Sequence, residues 1–519
     1  MGMPIIESHL LQPGQQQFGQ QIYNGLDVCL TFEIRQEMGT LFNHTPIIYE
    51  FEKALQAPAL EMMLRGFLID ERERQEGIRL LEAQTTRLDN LLQAMAWAVW
   101  GKGVNPNSPK QLIDFFYGAM KLPEQWISAK GVKRLSTNRE ALEKLDVYLY
   151  ARPLIACILA LRDCSKQLSV LRTEIDSDQR MRTSYNIAGT ETGRWSSSQS
   201  SERTGTNLQN LSPRLRKMFV ADPGWKLCGI DLEQAESREV GWQHGILYED
   251  WTYLDACYSG DLHTITARLV WPNLPWTGNG KQDRAIADRI FYREFTYRDM
   301  SKRGGHGTSY YGTPFTMARH LKVPVRVMEN FQKSFFEAYP GFRKWHQGIA
   351  LELQTTHRLV TPFGRERHFF GRSNDDATLR EAIAYVPQSS TADRLNLILW
   401  RIWYHMGTRV RIMAQVHDAL YFQYRESDDE AEVIAKALGY FSIPMEHTSP
   451  GGKKHSLVVP GEAKIGWNWG NQVTQGDVDK AVARGLTPPR LNPDGLIKWK
   501  GSDSRVRTEQ PTGLLARIF

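Results

Sequence analysis

An α+β fold built from several subdomains is what this 519-residue sequence predicts. Three observations carry the expectation. Apolar residues recur at helical spacing through much of the first third, as in Leu80, Leu81, Leu88, Leu91 and Leu92. Short apolar runs that stop at an aspartate, Lys226 to Asp231 and Met413 to Asp418, read as strands. A chain of this length also exceeds one compact core, so roughly two to four subdomains are expected.

Taken in order, residues 1–20 are rich in Gln and Gly and are expected to be poorly ordered. Residues 46–100 read as helical, then Asn105-Pro-Asn-Ser-Pro109 breaks the pattern. Ser108 is placed to cap a new helix with Pro109 in its first turn. Another amphipathic stretch covers 138–172, through Leu154, Ile155, Ile158, Leu159 and Leu161. The strand at 226–231 is followed by helix over 234–247. A loop at 271–280 precedes a charged helical region over 281–300, and 376–407 reads as helix. Residues 411–424 form two strand-like runs about His417-Asp418, a hairpin with the carboxylate at its tip. From 471 onward Gly, Pro and charge dominate, with Trp499 and Leu514-Leu515 as isolated apolar anchors, and a solvated tail is expected.

Composition narrows the function classes. Hydrophobic residues make up 41% and charged residues 24% of the chain, ordinary values for a globular protein. A net charge of +6 suits a polyanionic partner and an ordinary basic enzyme equally. Five cysteines, odd in number and without CxxC spacing, argue against a disulfide framework or a structural zinc site. No apolar run reaches the roughly 18 residues of a membrane span, and the first residues lack a signal-peptide pattern. A cytoplasmic protein is expected.

The chemistry centres on Asp231 and Asp418. A carboxylate buried at a strand end is costly unless a cation neutralises it. Two such groups can hold a pair of divalent metals, the arrangement that clamps the attacking and leaving oxygens in phosphoryl transfer. Between them lies Arg298-x-x-x-Lys302-x-x-x-His306-x-x-x-Tyr310, a cationic stripe that suits a triphosphate. On a helix this spacing gives one slowly turning face. Gly304, Gly305 and Gly307 argue for a loop instead, at about 1 kcal/mol each against Ala. Carboxylates for metals and cations for phosphates point to nucleotidyl transfer.

These residues resemble motifs of the DNA polymerase I family (family A). Asp231-Leu-Glu-Gln234-Ala-Glu236-Ser-Arg238 is similar to motif A, Arg298 to Tyr310 to motif B, and Gln415-Val-His417-Asp418 to motif C. Supporting matches are Thr192-Gly-Arg194 with Asn207-Leu-Gln-Asn, Asp261-Leu-His263-Thr, and Pro387-Gln388-Ser-Ser-Thr-Ala-Asp393. The resemblance spans about residues 46–470 in the family's order. It implies a right-hand polymerase fold, with a palm built on an antiparallel sheet and with helical thumb and fingers. The expected divisions are an exonuclease-like edge at 1–57, palm entry and thumb at 58–180 and palm at 181–270. Fingers at 271–375, palm at 376–470 and an extension of unknown role at 471–519 complete them.

The resemblance implies a template-directed DNA polymerase acting on primer–template DNA and deoxynucleoside triphosphates. Asp231, Asp418 and the backbone carbonyl of Leu232 are expected to hold two Mg²⁺ ions, with Mn²⁺ as a substitute. Arg298 and Lys302 are expected on phosphate oxygens, with Lys302 also the proton donor to pyrophosphate. His263 is expected as a phosphate contact and Gln234 in the nucleotide site. His306 would border the sugar 3′ position and Tyr310 the templating base. Glu236 would act as a gate that leaves no room for a 2′-hydroxyl. Arg194, Gln388 and His417 would touch the new base pair in the minor groove, where every pair presents similar acceptors, with Arg380 near the same junction. The alternatives are a single-chain RNA polymerase of related fold and a catalytically inactive DNA-binding scaffold.

The sequence also departs from the family. His306 stands where Phe or Tyr is usual, Ala419 where a second acid follows the aspartate, and Ala384 where Asn is common. Leu232-Glu233 replaces a Tyr-Ser pair. Tyr310-Tyr311-Gly312 has one residue more before the glycine than usual, so either tyrosine fits the motif. Tyr23-x-x-x-Asp27 resembles the last motif of a proofreading exonuclease, yet residues 1–22 contain no Asp and only Glu7. No proofreading activity is expected from this polypeptide. It reads either as a fragment or as a chain served by a separate exonuclease or processivity partner. The short core and His306 lean towards a viral or phage type.

Overall fold

The computed structural model describes residues 13–42, 46–129, 132–200, 202–293, 295–483 and 486–500. Its frame is a five-stranded antiparallel sheet in the order Val410–Val416, Ala419–Arg425, Trp225–Leu232, Gly461–Gly466, Ile497–Lys498. The central strand is apolar nearly throughout because both of its faces are covered. Cys228 and Ile230 join Leu420, Phe422 and Ala463 against Leu395, Leu399 and Ile402 of the long helix Asp376–Met406. Leu227 lies on the other side with Met413, Ala414, Val416 and Trp469. The hairpin turns tightly at His417, whose φ of 54° supplies the left-handed conformation that a two-residue turn requires.

The first third is helical, as its periodicity predicts, but the 46–100 stretch is divided. Pro46–Arg65 stops at Gly66, and Phe67–Ile69 forms a short strand between Arg180–Met181 and Phe219–Val220. Phe67 is fully buried and stacks on Trp469 at 5.0 Å, which rewards an extended segment here. Glu71–Trp100 then begins at Asp70, whose side chain accepts from the Glu73 N–H, and ends at Gly101 in the left-handed region. Ser108 caps its short helix by accepting from Gln111 N–H, with Pro109 in the first turn. Residues 138–172 divide into Arg139–Leu145 and Arg152–Arg172.

Three further expectations are corrected. Residues 13–20 belong to the helix Pro13–Phe42, and residues 1–12 lie outside the described residues. The 281–300 region is a helix, Gly280–Ala287, followed by a hairpin of Ile290–Tyr292 and Phe295–Thr296. The aromatic and β-branched run favours strand there. The tail is not uniformly solvated: Gln475–Ala483 is helical and Ile497–Lys498 joins the main sheet. Arg505, Arg507, Leu514-Leu515 and Arg517 lie outside the described residues.

A second, aromatic-rich core gathers Tyr253, Met300, Phe331, Phe335, Tyr339, Phe342 and Trp345. At the seam between the two cores, Arg394 of the long helix donates to Glu239 at 3.0 and 3.2 Å, with both side chains buried. Burial raises the Glu239 carboxyl above its ordinary range, and Arg394 opposes that rise. Glu239→Gln strands a buried guanidinium and is expected to cost about 3–5 kcal/mol, measured as a fall in the denaturant midpoint. Elsewhere Lys322 reaches Asp146 at 2.8 Å, tying the segment after Pro314–Leu321 to the end of Arg139–Leu145. Among the described residues no helix is long and apolar enough to cross a membrane. All five cysteines are free thiols, four of them buried.

Candidate active site

Asp231 sits near the end of the central strand, in register with Ala419 of the neighbouring strand, one residue from Asp418. The Leu232 N–H donates to the Asp418 carbonyl at 3.0 Å, fixing one motif against the other. Both aspartates open into one cavity of about 420 Å³. Neither is sealed from water, contrary to the burial expected from sequence: Asp231 is exposed and Asp418 is 33% accessible at its side chain. The surrounding walls still raise both carboxyls above the usual carboxylate range by desolvation. Lys464 opposes the rise at Asp231, and Arg194 opposes it at Asp418.

The donor set suits a hard divalent cation. Two carboxylates and a nearby backbone carbonyl supply oxygen only, as Mg²⁺ prefers, leaving other positions to water and phosphate. Among the described residues no three His, Cys, Asp or Glu side chains gather into a metal site; the acids beside the pair are Glu236, which lines the same cavity, and Glu462, in register with Asp231.

The opposite wall is Tyr297–Ser309, a helix despite its glycines. Thr296 and Asp299 form a capping box at its start. Gly304 is buried where a Cβ would come within 2.7 Å of the Phe331 ring, so close packing overrides its low helix propensity. Lys302, His306 and Tyr310 all line the cavity, as do Leu232, Gln234, Glu236 and His263. Burial pushes the His263 imidazole down to about 4, with Arg298 adding to the fall. It is neutral at pH 7 and offers a hydrogen bond rather than a charge. Gln234 Oε1 is buried without a hydrogen-bond partner among the described residues.

Arg298 is placed differently from its expected role. Its guanidinium donates to both oxygens of Asp261 at 2.7 and 3.1 Å and does not line the cavity. Arg298 and its neighbours hold the Asp261 carboxyl well below the ordinary range despite partial burial. Asp261 is therefore a functional candidate that sequence reading passed over; the cue was its N-cap position in Asp261-Leu-His263-Thr.

Glu236 is held from two sides, by Arg194 and by the Tyr310 hydroxyl. Arg194 Nη2 also lies 3.8 Å from Asp418 Oδ1, so it points into the site. Its loop is fixed by a chain of bonds: Gln415 Nε2 donates to Asn396 Oδ1 at 2.7 Å, and Asn396 Nδ2 to the Gly193 carbonyl at 3.3 Å. Gly193 has φ of 73°, and a Cβ there would meet the Arg365 guanidinium at 2.7 Å. The geometry distinguishes the two tyrosines: Tyr310 faces the cavity, while Tyr311 packs on His346 at 5.3 Å. Ser301, Ser309, Thr266 and Tyr253 also line the cavity; Ser301 and Ser309 adjoin Lys302 and Tyr310, and Thr266 shares the helix of His263, but uncharged hydroxyl side chains give no signal of their own in the sequence. Gln388, His417 and Arg380 stand outside the cavity lining; His417 and Arg380 are exposed and Gln388 is half-buried.

Residues 76–471 match the family model described as DNA polymerase family A. DNA polymerase I of Chloroflexus aurantiacus is 28% identical over 445 residues, covering 80% of this chain and 43% of that protein. The thermostable DNA polymerase I of Thermus filiformis is 27% identical over 439 residues, covering 80% of this chain and 47% of that one. The chain thus spans less than half the length of these curated relatives. Among solved structures, the POL domain of Pol1 from M. smegmatis, in complex with DNA primer-template and dNTP, shares the fold. Its TM-score is 0.65 at 23% identity, over 80% of this chain and 69% of that one.

Proposed function

Because the chain belongs to DNA polymerase family A, we propose that it adds deoxynucleotides to the 3′-hydroxyl of a primer paired with a template, releasing pyrophosphate. The observation that carries this reading is the meeting of Asp231 and Asp418 with Lys302 around one cavity, from three separate stretches of chain. Asp231, Asp418 and the Leu232 carbonyl would hold Mg²⁺, or Mn²⁺ in its place, which when bound activates the 3′-hydroxyl and neutralises the triphosphate.

The side chains supply the remainder. Lys302 binds phosphate oxygens and delivers a proton to departing pyrophosphate. Arg298 joins it on release from Asp261, and neutral His263 donates a hydrogen bond. The Gln234 amide oxygen has no partner among the described residues and can accept from the bound nucleotide. His306 borders the sugar 3′ position and Tyr310 the templating base. Arg194, Gln388 and His417 check the pair from the minor groove, with Arg380 at the edge of that junction. On this reading 58–180 is palm entry and thumb, 181–270 and 376–470 are palm, and 271–375 is fingers. Residues 1–57 are an exonuclease-like edge, and 471–519 are a C-terminal extension, of which Ile497–Lys498 pairs into the palm sheet.

Glu236 sets sugar choice. Its carboxylate, pinned by Arg194 and the Tyr310 hydroxyl, is rigid enough to exclude a 2′-hydroxyl. Glu236→Ala is expected to raise ribonucleotide over deoxynucleotide incorporation by roughly 10²-fold in competition assays, about 2.7 kcal/mol of discrimination. An unchanged ratio would remove Glu236 from that role.

Primer extension tests the whole proposal. Wild-type protein with Mg²⁺ and deoxynucleotides should copy the template base by base. Failure with deoxynucleotides, or equal use of ribonucleotides, would overturn it.

A further inference from the structure

The stretch beyond the family match, after residue 471, returns to the catalytic sheet. Ile497–Lys498 pairs with Gly461–Gly466 and becomes its fifth strand, with Ile497 opposite Ile465 and Lys498 opposite Lys464. Trp499 N–H donates to the Ala463 carbonyl at 2.9 Å, and the indole packs against the core beneath the sheet. The incoming segment is pinned as well, by Asn492 paired with Asn468 through bonds of 2.8 and 3.0 Å.

Register determines which face each side chain occupies. Ile230, Ala463 and Ile465 lie in the core below, so their neighbours Asp231, Glu462, Lys464 and Lys498 stand on the other, catalytic face. Alternation carries Lys500 to that face while Trp499 turns to the core. Lys464, in register with Gly229, stands diagonally from Asp231 on that face. Glu462, in register with Asp231, accepts from Lys498 and holds that ammonium in the row. The added strand lies two strands from Asp231, about 10 Å at ordinary sheet spacing, or about three base-pair rises along a duplex. The three lysines are outside the lining of the nucleotide cavity, whose cation is Lys302 on the opposite wall.

We propose that Lys464, Lys498 and Lys500 form a phosphate ledge that grips the sugar–phosphate backbone of the primer–template duplex as it leaves the site. The ledge rests on the polymerase reading, since the duplex must pass Asp231 with its primer end there. Phosphate chemistry could equally come from the triphosphate, but the position outside the cavity favours the duplex backbone.

The test is fluorescence-anisotropy titration of a primer–template duplex with the full chain across a salt series, beside steady-state nucleotide KM. For the Lys498→Ala/Lys500→Ala double variant, duplex Kd should rise roughly tenfold. The slope of log Kd against log salt should fall by about 1.8, at about 0.9 for each phosphate no longer neutralised. Lys464→Ala should lower the slope by about 0.9 more. The Lys498→Arg/Lys500→Arg variant keeps both charges and should restore the wild-type slope. Unchanged Kd and slope in the alanine variant would overturn the ledge. So would a rise in nucleotide KM alone, or equal loss in the arginine variant, which would mark a structural role. Wild-type protein that binds duplex with the lysine-dependent slope but never extends a primer would sink the polymerase reading and leave the ledge standing.

Discussion

Asp418→Ala, and separately Asp231→Ala, should each slow single-nucleotide addition by roughly 10³–10⁴-fold, several kcal/mol of lost transition-state stabilisation. The size follows from the absence of a substitute. Ala419 faces Asp231 where the family commonly has another acid, and the acids that do stand near are already engaged, Glu236 by Arg194 and the Tyr310 hydroxyl and Glu462 by Lys498. Duplex affinity should hold or rise, because each change removes a negative charge from a surface that meets a polyanion. Rapid-quench single-turnover assays beside duplex titrations separate the two quantities. A variant that loses duplex binding and addition in parallel would show a folding or docking defect instead. The double variant should be little worse than either single one, since two groups holding one charge cluster act as a unit.

Lys302→Ala should lower the rate of addition by roughly 10²–10³-fold, the usual cost of removing one preorganised donor from a developing charge. Lys302 carries this weight because it already lines the cavity, whereas Arg298, one turn earlier, reaches the phosphates only on leaving Asp261, which holds it by two bonds of 2.7 and 3.1 Å. His263 beside it is neutral and cannot replace the charge. Lys302→Arg should recover phosphate binding but deliver a proton poorly, since guanidinium is effectively always protonated. Single-turnover rates in light and heavy water test this: the solvent isotope effect should shrink in Lys302→Ala. An isotope effect and rate equal to wild type would remove Lys302 from the chemistry. Asp261→Asn should free Arg298 and change nucleotide KM more than the rate.

Much of this site is legible in the sequence alone, for local reasons. Asp231 and Asp418 end apolar runs, and such runs become strands because both faces of the sheet are covered. The four-residue spacing of Lys302, His306 and Tyr310 is itself helical, so the three reach one wall. What stays hidden depends on remote partners. Gly304 looks like a loop residue because propensity cannot register Phe331, which packs where a side chain would stand. Arg298 looks free because Asp261 is distant in sequence. Glu236 gives no sign that Arg194 and Tyr310 will hold it. The strand Ile497–Lys498 is two residues long, too short for any periodicity, and exists because Gly461–Gly466 offers an edge to pair with. The hairpin at 290–296 is masked by the charges around it, although its apolar content favours strand.

The most direct test counts metal ions. Mn²⁺ is titrated by electron paramagnetic resonance into the full chain with a dideoxy-terminated primer–template and the next complementary nucleotide. Wild-type protein should hold two ions per complex, and Asp231→Ala and Asp418→Ala should each lose at least one while still binding duplex. Retention of both ions in either variant would mean that the two aspartates do not share the site.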